Sequence, residues 1–175
     1  MEFKGIQVYN ISKFEDHRGE FYESYNKDIN EYFPERFVQT NISKSKQGVF
    51  RGLHYQWDDP MGKLVTALHG EIIDFYMDIR EGSPTYGKIG NLRLTDYNPT
   101  LLYIPPGFAH GFYSVTDSIV KYECTSYYNK EGEGAISYEE LEFINNINLS
   151  DLIISQKDLE AQSFLEYKKD AKFTF

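Results

Sequence analysis

Between Val49 and Tyr128 apolar and polar residues alternate in short runs, and Gly and Pro fall at the breaks between them. The segments VFRGLHYQ, KLVTALHG, EIIDFYMDIR, KIGNLRLT, TLLYIPPG, HGFYSV and SIVKYECTSYY are rich in β-branched and aromatic residues, which suit a pleated, half-buried surface. Strands this short, at this spacing, predict an antiparallel sandwich or barrel. In SIVKYECTSYY, alternation places Val120, Tyr122, Cys124 and Ser126 on one face and Lys121, Glu123 and Tyr127 on the other. Tyr122 therefore points towards whatever the barrel encloses. The flanks read differently. Lys27 to Phe33 has room for a turn or two of helix, and SQKDLEAQSFLE begins like a capped helix, with Ser155 as N-cap and Asp158 at the capping-box position. On position alone Asp158 is a helix-dipole residue. No repeat or low-complexity tract divides the chain, so residues 1–175 are read as one domain.

Composition sharpens this picture. An apolar fraction of 41% with 17% aromatic residues is far from that of a disordered chain. The formal charge of −9 argues against general binding to nucleic acid or to an anionic membrane, so an anionic ligand must meet a local basic cluster. Lys44, Lys46 and Arg51 form one candidate, with Lys63 further on and Arg18 earlier. No stretch approaches the roughly 18 consecutive apolar residues of a membrane span, and MEFKGIQVYN lacks the apolar core of a signal peptide, so a cytoplasmic location is expected. The single Cys124 rules out an internal disulfide framework and reads as a small buried strand residue.

The candidate chemistry concentrates in a few places. IPPGFAHGF carries P-x-G-x-x-H, as Pro105, Gly107 and His110, between two predicted strands, and in this resembles the second half of a cupin signature. The first half normally brings an H-x-H pair and a glutamate to a metal, yet GLHYQ offers only His54, followed by Tyr55 and Gln56. The other histidines are His17 and His69, and a transition metal needs about three well-placed N/O ligands, so a catalytic metal is not expected.

A longer resemblance runs through DHRGEFYESYN, FVQTNISKSKQGVFRGLHYQ, MGKLV, GEIIDFYMDIREGSPTYG, YIPPGFAHGF and KYECTSYY, in that order, over about residues 16 to 137. Together these are similar to the dTDP-4-dehydrorhamnose 3,5-epimerase family, and SKSKxGVxRGLHYQ followed by GKLV is the most specific part. The resemblance implies an all-β, cupin-type jelly-roll barrel with short flanking helices and a homodimer that shares strands. It implies metal-independent inversion of C3, C5 or both in a nucleotide-diphosphate-linked 4-keto-6-deoxy sugar, with no organic cofactor, for cell-surface polysaccharide synthesis.

It also implies roles. His54 in RGLHYQ matches the general base, and Tyr122 in KYECTSYY matches the general acid on the opposite side of the sugar. Lys63 in GKLV matches a lysine beside the C4 oxygen. The pairing suits the chemistry, because a carbon next to a ketone loses its proton only if the enolate charge is stabilised, and inverts only if the proton returns from the other face. SQKD is similar to the family's S-x-K-D, which makes Asp158 the partner of His54. Arg18, Gln39 and Arg51 match positions that hold the diphosphate and nucleoside, and His110 borders the ligand. Tyr127 matches an aromatic that stacks on the base, and Glu23 matches a position that reaches the nucleotide of the other subunit. Tyr55, Tyr103, Phe108 and Phe112 are left to the core.

The chain departs from the family pattern at Thr40 and Ile42, where an aspartate and a histidine are common, and at Glu20, where an aromatic is common. These positions leave the nucleotide open between dTDP and GDP, and the sugar between hexose and heptose. LEFINNINLSDL lacks the Trp-Pro element that usually precedes S-x-K-D, which leaves Asp74 in EIIDF as a rival partner for His54. A metal-dependent cupin enzyme, a sugar-nucleotide 3,4-ketoisomerase and a non-catalytic sugar-binding cupin are the competing readings. The missing H-x-H counts against the first two, and the joint presence of His54, Lys63 and Tyr122 against the third.

Overall fold

The computed structural model describes residues 2–33, 35–142 and 152–175. Its elements, in chain order, are β1 (Gln7–Asn10), β2 (Lys13–Asp16), β3 (Gly19–Tyr22), α1 (Lys27–Tyr32), β4 (Gln39–Ser45) and β5 (Phe50–Gln56). Then follow β6 (Lys63–His69), β7 (Glu71–Asp78), β8 (Arg80–Glu81), β9 (Ile89–Thr95), β10 (Thr100–Ile104), β11 (Phe108–Ser114) and β12 (Ser118–Cys124). The chain closes with β13 (Glu133–Ala135), α2 (Gln156–Leu159), α3 (Phe164–Tyr167) and β14 (Phe173–Thr174).

Two five-stranded antiparallel sheets face each other in a cupin-type jelly roll, in the orders β1-β10-β6-β12-β4 and β13-β5-β11-β7-β9. Strands β2 and β3 form a separate antiparallel ribbon, and β8 pairs with β14 in parallel. Alternation along the strands sorts the apolar side chains into three layers. Between the sheets lie Val65, Leu102, Ile104 and Val120 from one and Ile72, Leu94, Phe108 and Phe112 from the other. The outer face of the second sheet, with Phe50, Leu53, Tyr55, Phe75 and Met77, is covered by Phe164 and Tyr167 of α3. The outer face of the first, with Leu64, Leu101 and Tyr103, is covered by Ile29 of α1 and by Phe33. Cys124 is fully buried and unpaired.

All seven of the strands expected between Val49 and Tyr128 form. Strands β1 and β4 were not anticipated, since QVYN and QTNISKS carry few of the large apolar residues that mark a core strand. The helix expected from Ser155 onwards is cut in two. Ser155 caps α2, Ser163 caps α3, and a bridge between Ile136 and Gln162 pulls the intervening segment out of helical geometry. Most of LEFINNINLSDL lies outside the described residues. Among the described residues no helix is long and apolar enough to cross a membrane.

Candidate active site

A bulge in β5 sets up the site. His110 of β11 stands opposite His54 and Phe112 opposite Arg51, so the register shifts where Gly52 and Leu53 intervene. In a regular strand Arg51 and His54 would face opposite sides; the extra residue brings both onto the inner face, where they line one cleft. Glycine makes the contact feasible: Gly52 has φ +123°, and a Cβ there would lie 2.5 Å from Gly111 Cα. A Cβ on Gly111 would lie 2.4 Å from the Arg51 carbonyl oxygen.

His54 Nε2 sits 2.6 Å from Asp158 Oδ1. With Nε2–H donating to the carboxylate, Nδ1 keeps its lone pair and is the basic nitrogen of the ring. Asp158 arrives on α2, where its backbone N–H donates to Ser155 Oγ at 3.2 Å, as a capping residue's would. Its carboxylate reaches His54 while also taking a hydrogen bond from the Ser155 hydroxyl at the helix end. Burial opposes ionisation of Asp158, but the hydrogen bond and charge of His54, the Ser155 hydroxyl and the Gly52 N–H together hold the carboxyl below its ordinary range.

On the facing sheet, Tyr122 stands opposite Val65 and Asn41, while Cys124 stands opposite Lys63. Lys63 and Tyr122 are therefore diagonal neighbours on the inner face. Burial raises the Tyr122 hydroxyl, which stays protonated at neutral pH. Burial also lowers the Lys63 ammonium, against the pull of Cys124, Asp74 and Glu133. Asp74, the rival partner for His54, is instead bound to His110, with Nε2 at 2.9 and 3.1 Å from its two oxygens. Both are buried, which pushes the Asp74 carboxyl up and the His110 imidazole down.

Two adjoining clefts, of about 440 and 550 Å³, share His54, Lys63 and Tyr122. The first also takes in Arg51, His110 and Asp158, and the second Gln39, Asn41, Tyr128 and Glu133. Of the basic cluster read from the sequence, only Arg51 and Lys63 face this space; Lys44 and Lys46 border a separate surface depression beside Asp117. Arg51 Nε donates to Ser45 Oγ at 3.0 Å and Nη2 to the Lys44 carbonyl at 3.4 Å, and the side chain lines the cleft. Gln39 donates to Asn41 Oδ1 and accepts the Tyr128 N–H.

Arg18 and Glu23 lie outside both clefts of their own chain. Arg18 caps the turn of the β2–β3 ribbon by pairing with Asp16, and Glu23 accepts from Asn26 Nδ2. Tyr127 is 66% exposed and lines neither cleft, whereas its neighbour Tyr128 lines the second together with Tyr55 and Tyr122. Strand β12 ends at Cys124, so alternation cannot be carried to these tyrosines. Asn41 was missed because β4, which puts it on one face with Gln39, was not anticipated; Glu133 and Lys157 gave no signal beyond the lysine's place inside SQKD. Thr40 and Ile42 line the second cleft, while Glu20 pairs with Lys13 on the ribbon. His69 pairs with Asp96 at the surface. Among the described residues no group of three or more His, Cys, Asp and Glu side chains is placed to hold one metal ion.

The family described as dTDP-4-dehydrorhamnose 3,5-epimerase matches residues 1–166. The enzyme of that name from Methanothermobacter thermautotrophicus is 43% identical over 159 residues, covering 83% of this chain and 82% of its own. That from Shigella flexneri is 37% identical over 170 residues, 94% of each chain. The crystal structure of dTDP-6-deoxy-D-glucose-3,5-epimerase from Legionella pneumophila, in complex with dTDP-4-keto-L-rhamnose, superposes with a TM-score of 0.89 at 36% identity, covering 100% of this chain and 96% of that one. On sequence and fold, the chain belongs to the dTDP-4-dehydrorhamnose 3,5-epimerase family.

Proposed function

We propose that the chain epimerises a dTDP-linked 4-keto-6-deoxy sugar at C3, C5 or both, acting in the cytoplasm, where its lone cysteine stays reduced. The observation that carries this reading is the division of the machinery between the two sheets. His54 with Asp158 stands on one and Tyr122 with Lys63 on the other, and all four border the same cleft. A sugar ring held between the sheets meets a base on one face and an acid on the other. His54 Nδ1 takes the proton from the carbon beside the ketone, and Asp158 stabilises the imidazolium that results. Lys63, desolvated by burial, places a positive charge where the C4 oxygen becomes an enolate. The Tyr122 hydroxyl returns a proton from the opposite face. Arg51 is suited to the diphosphate by its forked donors, and Tyr128 offers a ring to the base.

The β2–β3 ribbon supports a homodimer. It presents Phe14 and Phe21, cross-strand partners that are each 64% exposed, beside Arg18. We assign Arg18 and Glu23 to the nucleotide of a second copy, since neither reaches the clefts of its own chain. The whole reading is tested by incubating the protein in D₂O with dTDP-linked and GDP-linked 4-keto-6-deoxy sugars and following C3 and C5 by NMR. Deuterium at one or both carbons with the dTDP sugar is the expected result. No incorporation by the wild type, or incorporation undiminished in His54→Asn, would overturn the assignment.

A further inference from the structure

Glu133 stands on β13, the edge strand of the second sheet, opposite Gln56 of β5. Its carboxylate oxygen Oε2 accepts two hydrogen bonds from different directions: Tyr128 Oη at 2.9 Å and Lys157 Nζ at 2.5 Å. Tyr128 lines the second cleft, Lys157 lines the first, and Lys157 precedes Asp158 on α2. Glu133 thus joins the ring wall of one cleft to the helix that delivers the carboxylate of the dyad in the other.

We propose that Glu133 is a positioning residue, which uses its bridge between Tyr128 and Lys157 to hold α2 so that Asp158 stays on His54. α2 is pinned at its flanks by the bridges Val49–Ile153 and Ile136–Gln162, and within it Asp158 is tied to His54 and the Gly52 N–H, and Lys157 to Glu133. It has only four residues, too short to be stable on its own, and its neighbour α3 is anchored separately by its own Ser163 cap. Glu133 is largely buried, with 18% of its side chain exposed against 57% for Lys157, so the carboxylate is the fixed member of the pair and the lysine the member drawn to it. Its ionised form is favoured: burial opposes the charge, but Lys157, Tyr128 and His54 together hold the carboxyl below its ordinary range. Because Tyr128 shares the same oxygen, a ligand that presses on that ring acts on α2 through one intermediate side chain. Occupancy of the second cleft is thereby coupled to the alignment of the base in the first.

This inference rests on the proposed epimerase reading, and its test includes a measurement that needs no turnover. In Glu133→Gln the side chain keeps its shape and still accepts from Tyr128 but loses its charge. The far-downfield proton of the His54–Asp158 hydrogen bond is expected to be sharp in the wild type and broadened by solvent exchange in Glu133→Gln at a temperature well below the thermal midpoint of both, where each is fully folded. With the dTDP-linked 4-keto sugar, kcat falls about tenfold, as a small misplacement of a catalytic group demands, while KM stays within about twofold. Lys157→Met gives a similar loss, and the double variant loses no more than either single. A wild-type-like proton resonance in Glu133→Gln, or losses that multiply in the double variant, would overturn the proposal. A resonance that is sharp in the wild type and broadened in Glu133→Gln, with no turnover by the wild type, would count against the substrate and still support the positioning role.

Discussion

Burial acts on Asp158 and Lys63 with opposite results, and each sign can be measured. Asp158 ends below the usual carboxylate range because its partners outweigh desolvation. In the unfolded chain it titrates near its ordinary value, about 4, so its contribution to stability is complete above that pH and disappears as the pH falls through the lower folded value. Acid-unfolding curves of the wild type and Asp158→Asn should therefore be fully separated above the unfolded value and converge only as the pH falls through the lower folded one. The same variant should lose about a hundredfold or more in kcat, since an amide neither fixes the tautomer of His54 nor supports its charge. Lys63 ends below the usual lysine range because burial wins. Between its folded and unfolded values the unfolded chain holds a proton that the folded one lacks, so this residue's contribution improves as the pH rises and is least favourable below its folded value. Lys63→Met should abolish exchange yet raise the thermal midpoint at pH 7, a pairing that a purely structural lysine would not give. In the wild type, kcat should fall on the alkaline side at a pH below the ordinary lysine value, as the cation beside the enolate is lost.

At the scale of single elements, the β5 bulge places Arg51 and His54 side by side, and it depends on two facing glycines. Gly111→Ala puts a methyl group 2.4 Å from a carbonyl oxygen. It should cost about 2–4 kcal/mol in a denaturant titration and lower exchange in whatever fraction remains folded. This feature also marks where the sequence stopped being informative. Alternation placed Tyr122 on the inner face of β12, and SQKD on the far flank singled out Asp158. Nothing in FRGLHYQ, however, reveals that residues three apart share a face, because a bulge is decided by the partner strand. The same limit explains Tyr128, which lies past the end of β12, and Glu133, whose significance comes wholly from two side chains distant in sequence. The single helix expected from Ser155 failed for a related reason: Ser163 offers a second cap, and the bridge to Ile136 exploits it.

For the molecule as a whole, the seven central strands and a sandwich or barrel were legible because strand periodicity and aromatic content point the same way, whereas the jelly roll came from the family resemblance. Strands β1 and β4 were not, since they are held by pairing with β10 and β12 more than by their own side chains. Two outcomes belong to this scale. Arg18→Ala and His54→Asn subunits, each inactive alone, should regain part of the activity on mixing if the ribbon of one copy serves the cleft of another; sedimentation should show a dimer. A chelator should leave exchange intact, because base, acid and cation are all side chains of this chain. The separation of His54 and Tyr122 onto two sheets has a stereochemical consequence as well. Removing a proton and choosing the side of its return are the work of different walls, so the two can be uncoupled. Tyr122→Phe leaves the imidazole free to hand back a solvent-derived proton on the side from which it came. The substrate would then acquire isotope while keeping its original configuration, a futile labelling activity obtained by deleting one hydroxyl.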